Sequence, residues 1–275
     1  MKNKWLLLLL MPGFLMVSIF LVLPVLYCVI PTFLSSEGIS FKEYLDLFQD
    51  IFFLKVFFRT VKLALITALI CIALGIPTAY YISRSKKSIR GVLIVCTTFP
   101  LLTNSVVRAF AWITILGRNG VVNKLLMSLH LVSEPLKLLY TEPAIVIGSV
   151  YLFLPIMISS LVGVMEHIDN DLILAAGSLG ANKLKAFLTV VLPLCIPGLI
   201  VGSVMVFTGA ASAYTTPQLL GGNKNMVMAT FIYQQSMILG DWTAASVVAT
   251  IMVVLSILVI AVFNRIAAML NKRGV

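Results

Sequence analysis

Few side chains in this sequence are of a kind that does chemistry, and none are grouped to do it. His130 and His167 stand apart, without the spacing that would let them share a metal ion. Cys28, Cys71, Cys96 and Cys195 each lie in an apolar run with no C-x-x-C pair, the usual setting of small buried hydrophobes. No Ser/His/Asp arrangement suggests a nucleophile. No G-x-x-x-x-G-K-S/T run is present, so the sequence offers no P-loop phosphate cradle for ATP. What remains is polar residues in odd places. Thr97, Thr98, Thr103, Asn104, Ser105 and Arg108 interrupt one apolar stretch. Ser212, Tyr214, Thr215 and Thr216 end another, just before Pro217. Between them, Leu174 to Gly180 reads "LAAGSLG", almost free of bulk. Such groups suit contact with a solute or a partner, not bond making, and a membrane enzyme is set aside on that ground.

The elements that must position these residues follow from composition. Of 275 residues, 60% are apolar and 11% charged, with a mean hydropathy of +1.08. Soluble domains are about half apolar and about a quarter charged. The chain is therefore an integral membrane protein. A helix needs about 20 apolar residues to cross a bilayer core, and six segments qualify: residues 5–33, 57–82, 91–116, 143–164, 191–213 and 243–266. Helices are expected because open strand edges in lipid leave backbone groups unpaired. The fold class is therefore all-α with six transmembrane helices. The opening "MKNKWLLLLLMPGFLMVSIFLVLP" has the charge order of a secretory signal, but its apolar run is too long and no small-x-small site follows. It reads as a retained first span. No internal repeat and no separate soluble domain are visible.

The net charge of +10 is read topologically rather than as a nucleic-acid footprint, because Lys and Arg collect on the cytoplasmic side of membrane proteins. With the N-terminus inside, the inner segments hold eleven basic residues, among them Arg84, Lys86, Lys87 and Arg90 of "SRSKKSIR". They hold only three acids, Glu166, Asp169 and Asp171; the rest of the chain holds nine basic and seven acidic residues. Both termini and the small-residue stretch are expected to face the cytoplasm.

Two spans depart from plain apolar helix. In the third, Pro100 removes a helix hydrogen bond, which predicts a kink or break. Arg108 lies beyond it, either lining a pathway or snorkelling to the outer interface. In the fifth, Gly198 and Gly202 form a small-xxx-small pair that lets another helix approach closely. The Ser212–Thr216 cluster at its far end serves a pathway or a Pro/Gly turn. No Asp or Glu sits mid-span, whereas proton-driven carriers commonly place carboxylates at membrane depth. Energy for any transport is expected from another chain.

The small-residue stretch can be gripped closely by a partner, since no large side chains hold the surfaces apart, or can merely join two helices. Gly180 is expected to break its helix. Lys183 and Lys185 fit a bilayer surface, each gaining about 1 kcal/mol near anionic lipid. Pro193 fits the first turn of a new helix, where its missing N–H costs nothing.

The spacing here resembles the EAA loop of ABC importer permeases, E-A-A-x-x-x-G-x(9)-I-x-L-P. The chain reads Leu174-Ala175-Ala176, three residues, Gly180, nine residues, then Val190-x-Leu192-Pro193. Leu174 replaces the family glutamate, which puts that carboxylate's contact in doubt. The resemblance covers residues 55–265. It is similar most of all to the spermidine/putrescine-type branch, through "FPLLTNSVVRAFAWITIL" with Arg108 and Trp112, "NGVVN" at Asn119–Asn123, "YTEPAIVIGSVYLFLP" and "TTPQLLGG". Permeases for ferric iron, thiamine, sulfate, opines and aminophosphonates are similar to it as well.

The resemblance implies a type I ABC importer permease fold. It divides the chain into an N-terminal helix and external loop (1–54), the transmembrane domain (55–265) and a cytoplasmic tail (266–275). It implies a second permease chain, two ATPase subunits carrying ATP and Mg²⁺, and an external solute-binding protein, with no cofactor on this chain and no nucleic-acid partner. Leu174, Ala175, Ala176, Gly177, Ser178 and Gly180 would form the ATPase-docking loop. Asn104, Arg108, Trp112, Tyr214, Thr215 and Thr216 are the pathway candidates. Polyamines are cations, and the spans offer them no acid. Either selectivity lies in the binding protein and partner chain, or the solute is neutral, zwitterionic or anionic and Arg108 helps to hold it. A carrier that works alone is the rival from another class.

Overall fold

The computed structural model describes residues 2–35 and 38–271. Fourteen α-helices follow one another among the described residues: α1 (Lys2–Val17), α2 (Leu23–Val29), α3 (Lys42–Gln49), α4 (Ile51–Arg84), α5 (Lys87–Leu102), α6 (Ser105–Leu116), α7 (Val121–Ser128), α8 (Glu142–Met165), α9 (Asn170–Ser178), α10 (Lys183–Ala186), α11 (Leu192–Leu194), α12 (Ile196–Ser212), α13 (Met228–Tyr233) and α14 (Trp242–Asn271). Among the described residues, the departure from helix is one antiparallel strand pair, Leu34–Ser35 with Gly38–Ile39.

Four helices are long and apolar enough to cross a membrane unbroken: Leu10–Phe33, Ile51–Arg84, Glu142–Met165 and Trp242–Ile266. The third and fifth spans are instead bent pairs. Lys87–Leu102 meets Ser105–Ser128 at 94°, and Lys183–Leu194 meets Ile196–Ser212 at 67°. The first bend was expected at Pro100, but Pro100 stays inside α5. The chain turns at Thr103 and Asn104, two successive extended residues (ψ 143° and 134°). Asn104 then starts the next helix by accepting from Val106 N at 2.8 Å, the usual N-cap geometry.

The second bend corrects the reading of Pro193. The helical run begins at Lys183, where the Asn182 side chain accepts from Lys185 N. It passes through a π turn, Phe187–Val191, and continues past Pro193. The break falls at Cys195, and Pro197 occupies the first turn of α12. The start role therefore belongs to Pro197. Extra room in the π turn upstream lets Pro193 sit within the run.

Two compact units are formed by the described residues within 1–55 and 231–254, and by those within 56–230 and 255–275. In the first, Phe33 stacks on Tyr44 at 5.1 Å, Thr32 and Tyr44 share a hydroxyl hydrogen bond, and Phe52 meets Phe231 edge-on. In the second, α8 is the central helix, with 56% of its apolar window buried against 39% for α4. Its Phe153, Met157, Leu161 and Met165 pack with Cys71, Ala79 and Ile82 of α4 and Val206 of α12.

The α8–α12 contact is where small residues act. A Cβ on Gly198 would lie 2.9 Å from Ser160 O and 2.8 Å from Val164 Cγ2; one on Gly202 would lie 2.7 Å from Met157 Sδ. The helices are close enough for Ser160 Oγ to donate to Gly198 O at 2.7 Å. Lipid gives no hydrophobic drive to join helices, so this close packing and its hydrogen bond hold the pair.

Candidate functional site

The small-residue stretch is the helix α9 and its end. Asp169 caps the start, its Oδ1 accepting from Asp171 N at 3.1 Å. Gly180 ends it at φ +85°. Ala181 N donates to Ala176 O at 3.0 Å and Gly180 N to Gly177 O at 2.9 Å. This is the Schellman arrangement, and it calls for a glycine at its left-handed position. Leu174, Ala175, Gly177, Ser178 and Gly180 are exposed and Ala176 is half-buried. A Cβ on Gly177 or Gly180 would touch nothing within 4 Å. The six residues expected to dock a partner thus lie together on a largely open stretch. Its bulky members are Leu174, 67% exposed, and Leu179, 89% exposed. On its inner side, Ile173 packs into the core of the second unit.

The root of α9 is held by charge. Arg84, the last residue of α4, donates to Ile168 O at 3.1 Å and to Asn170 Oδ1. Arg90 on α5 pairs with Glu166 and also donates to Ser83 O at 2.8 Å and Ser85 O at 3.2 Å. A cavity of about 370 Å³ lies among Ser83, Arg84, Arg90, Glu166 and Asn170. These arginines were counted in the sequence only as topological anchors. The signal for more was that the inner segments' few acids, Glu166 and Asp169 among them, fall next to this loop.

The pathway candidates do not form one site. Arg108 is buried and donates to Pro100 O at 2.8 Å and to Thr103 O and Oγ1 at 3.4 Å each. Its guanidinium therefore caps the carbonyl end of α5, where a helix leaves acceptors free and a cation is favoured. Asn104 is spent on the N-cap of α6. Trp112 meets Tyr151 edge-on at 5.6 Å and packs with Leu116, Ala144 and Leu220. Thr216 is buried, its Cγ2 2.7 Å from where a Cβ on Gly148 would stand. Tyr214 and Thr215 are half-buried. Trp112 and Thr216 thus share the neighbourhood of Leu220 and α8, while Asn104 and Arg108 build the elbow. A cavity of about 600 Å³ opens beside Phe110, Lys137, Tyr140, Gln218 and Lys224, and none of the six candidates lines it.

The sequence reading also missed a charged hub. Glu142, at the start of α8, pairs with Arg59 at 3.0 Å and with Lys62, both on α4. Arg59 also donates to Met226 O at 3.1 Å and Lys224 O at 3.3 Å. Asn123 is buried, donating to Gly117 O and Leu136 O and accepting from Leu136 N, which ties the α6–α7 loop to the α7–α8 connection.

Apolar spans, two elbows and an exposed small-residue helix define a transport component of a membrane, and the chain belongs to the family described as binding-protein-dependent transport system inner membrane component, matched over residues 71–273. It is the permease subunit of an ABC importer and not an enzyme. The chain is 33% identical over 261 residues to the spermidine/putrescine transport system permease protein PotB of Haemophilus influenzae, covering 92% of this chain and 91% of that protein. It is 30% identical over 262 residues to PotB of Escherichia coli, covering 93% and 95%. Among solved structures, a bacterial ABC transporter for import of the acidic polysaccharide alginate matches with a TM-score of 0.80 at 20% identity, over 98% of this chain and 96% of that one. The MetNI methionine ABC transporter matches with a TM-score of 0.58 at 15% identity, over 78% and 93%. Both likenesses are of fold: type I importer permease.

Proposed function

We propose that this chain forms part of the passage for a polyamine of the spermidine/putrescine class in an ATP-driven importer. The observation that carries the reading is end-to-end similarity to two polyamine permeases combined with an open α9. In this assembly a second permease chain completes the passage, and an external binding protein delivers the solute. Two ATPase subunits, holding ATP and Mg²⁺, dock on Leu174–Gly180 from the cytoplasm, where both termini also lie. Their closure moves α9, and the spans rock as rigid bodies. This chain binds no cofactor and no nucleic acid, and its other partner is lipid. Residues 55–265 act as the transmembrane domain, preceded by the 1–54 helix and loop and followed by the 266–275 tail. Asn104, Arg108, Trp112, Tyr214, Thr215 and Thr216 shape the passage wall, with Arg108 acting through its hold on the elbow. Its donors are engaged by Pro100 O and Thr103, so it is not offered as the grip for an anion.

The test is uptake of labelled spermidine and putrescine by the reconstituted complex with its binding protein. Uptake should require ATP, and Gly177→Asp should abolish it while the protein stays in the membrane. Uptake that persists without ATP, or normal transport by Gly177→Asp, refutes the docking assignment. Uptake of neither polyamine refutes the solute.

A further inference from the structure

α9 is a short lever. Ile173 ties it to the core of the second unit, its side lies against the π turn Phe187–Val191, and its root is where side-chain hydrogen bonds join it to α4 and α5. The root carries an unusual share of side-chain hydrogen bonds from two other helices. Arg84 holds Ile168 O and Asn170 Oδ1; Arg90 holds Glu166 and, with its other terminal nitrogen, Ser83 O and Ser85 O. α4 and α5 are joined here by Ser85 and Lys86 alone. Arg90 therefore bridges three things at once: the end of α4, the start of α5 and the segment between α8 and α9. A guanidinium is planar, and its donors point in fixed directions, so two or more acceptors fix its orientation in a way a lysine cannot. Arg84 Nε and Nη2 and Arg90 Nε are buried without a partner among the described residues.

We infer that Arg84 and Arg90 are the positioning residues that clamp the root of α9 to the α4–α5 turn, so that displacement of α9 is passed to both helices rather than lost by hinging at His167–Asp169. The inference rests on the docking reading of α9 but concerns what happens after docking. Arg90, with three acceptors, is the stiffer half.

The experiment is a double-mutant cycle on the reconstituted complex: Arg90→Ala, Glu166→Ala and both together, with Arg90→Lys as a conservative variant. Three quantities are measured: permease in the membrane, ATPase subunits co-purifying with it, and solute moved per ATP hydrolysed. Each alanine variant should lower solute per ATP by about tenfold, a pair coupling in the middle of the usual range, with the ATPase subunits still bound. The double variant should be no worse than the worse single one. Arg90→Lys, which keeps the charge but loses the fork, should fall between. A purely structural pair would reduce the amount of permease and leave solute per ATP unchanged, and that result overturns the inference. So does a double variant whose loss is the product of the two singles. Failure of docking itself is read separately, from Gly177→Asp, which touches none of the clamp residues.

Discussion

Gly198→Ala offers the sharpest trial of the packing argument. The added methyl would stand 2.9 Å from Ser160 O and 2.8 Å from Val164 Cγ2. The oxygen is backbone and cannot rotate away, so α8 and α12 must part by several tenths of an ångström. Overpacking of this kind costs about 1–3 kcal/mol. Parting also weakens the Ser160 Oγ to Gly198 O bond, a contribution of about 1 kcal/mol. Alanine's helix preference of about 1 kcal/mol offsets part of this, leaving an expected loss of about 1–3 kcal/mol, or roughly 5–150-fold in the unfolding equilibrium. Gly202→Ala should be milder, because its nearest neighbour is Met157 Sδ on a flexible chain. Gly163→Ala on α8 is the control, since its Cβ meets nothing within 4 Å and alanine favours helix by about 1 kcal/mol. Unfolding of the purified permease in mixed micelles, titrated with a denaturing detergent, ranks the three. If Gly198→Ala is as stable as Gly163→Ala, the close approach of these helices is wrong.

Two further outcomes are expected. Gly180→Ala forces a left-handed φ of +85° on a residue with a Cβ, costing about 1–2 kcal/mol; faster amide hydrogen exchange at Gly180 and Ala181 should reveal a frayed α9 end, and unchanged exchange would show that the turn does not depend on glycine. Asn123→Ala leaves the Leu136 N–H without its acceptor and takes one of two donors from each of Gly117 O and Leu136 O, which keep Gly120 N and Leu138 N, costing about 1–3 kcal/mol; limited proteolysis should then cut between residues 117 and 136, and equal resistance to the native protein contradicts the assignment.

The spans were legible because hydropathy over a bilayer's width is a long, redundant signal. Residues 143–164 and 243–266 match Glu142–Met165 and Trp242–Ile266 to within a residue or so. Bends were legible in kind but not in place. Proline marks where a hydrogen bond is missing, yet the chain turns where the next cap stands, so Asn104 rather than Pro100 fixes the first elbow. A π turn allowed Pro193 inside a helix and passed the start to Pro197. The continuity of α9 could be read because its spacing is local. Arg108 could not be placed, because the acceptors it holds exist only once α5 has ended. The Arg90–Glu166 and Glu142–Arg59 pairs join residues 76 and 83 positions apart, and composition gives no hint of such partners.

The leucines at 174 and 179 have a consequence for how the subunits must be made. In the chain by itself they are exposed on a helix with little else to cover them, and in the proposed assembly the docked ATPase covers them. A permease synthesised in excess of its ATPase would carry an oily thumb into the cytosol, a target for quality-control proteases. Because Leu174 stands where the EAA pattern has glutamate, the proposed grip on that thumb would be greasy rather than ionic. Strong brine should fail to strip the motor from this subunit, whereas a mild surfactant should loosen it.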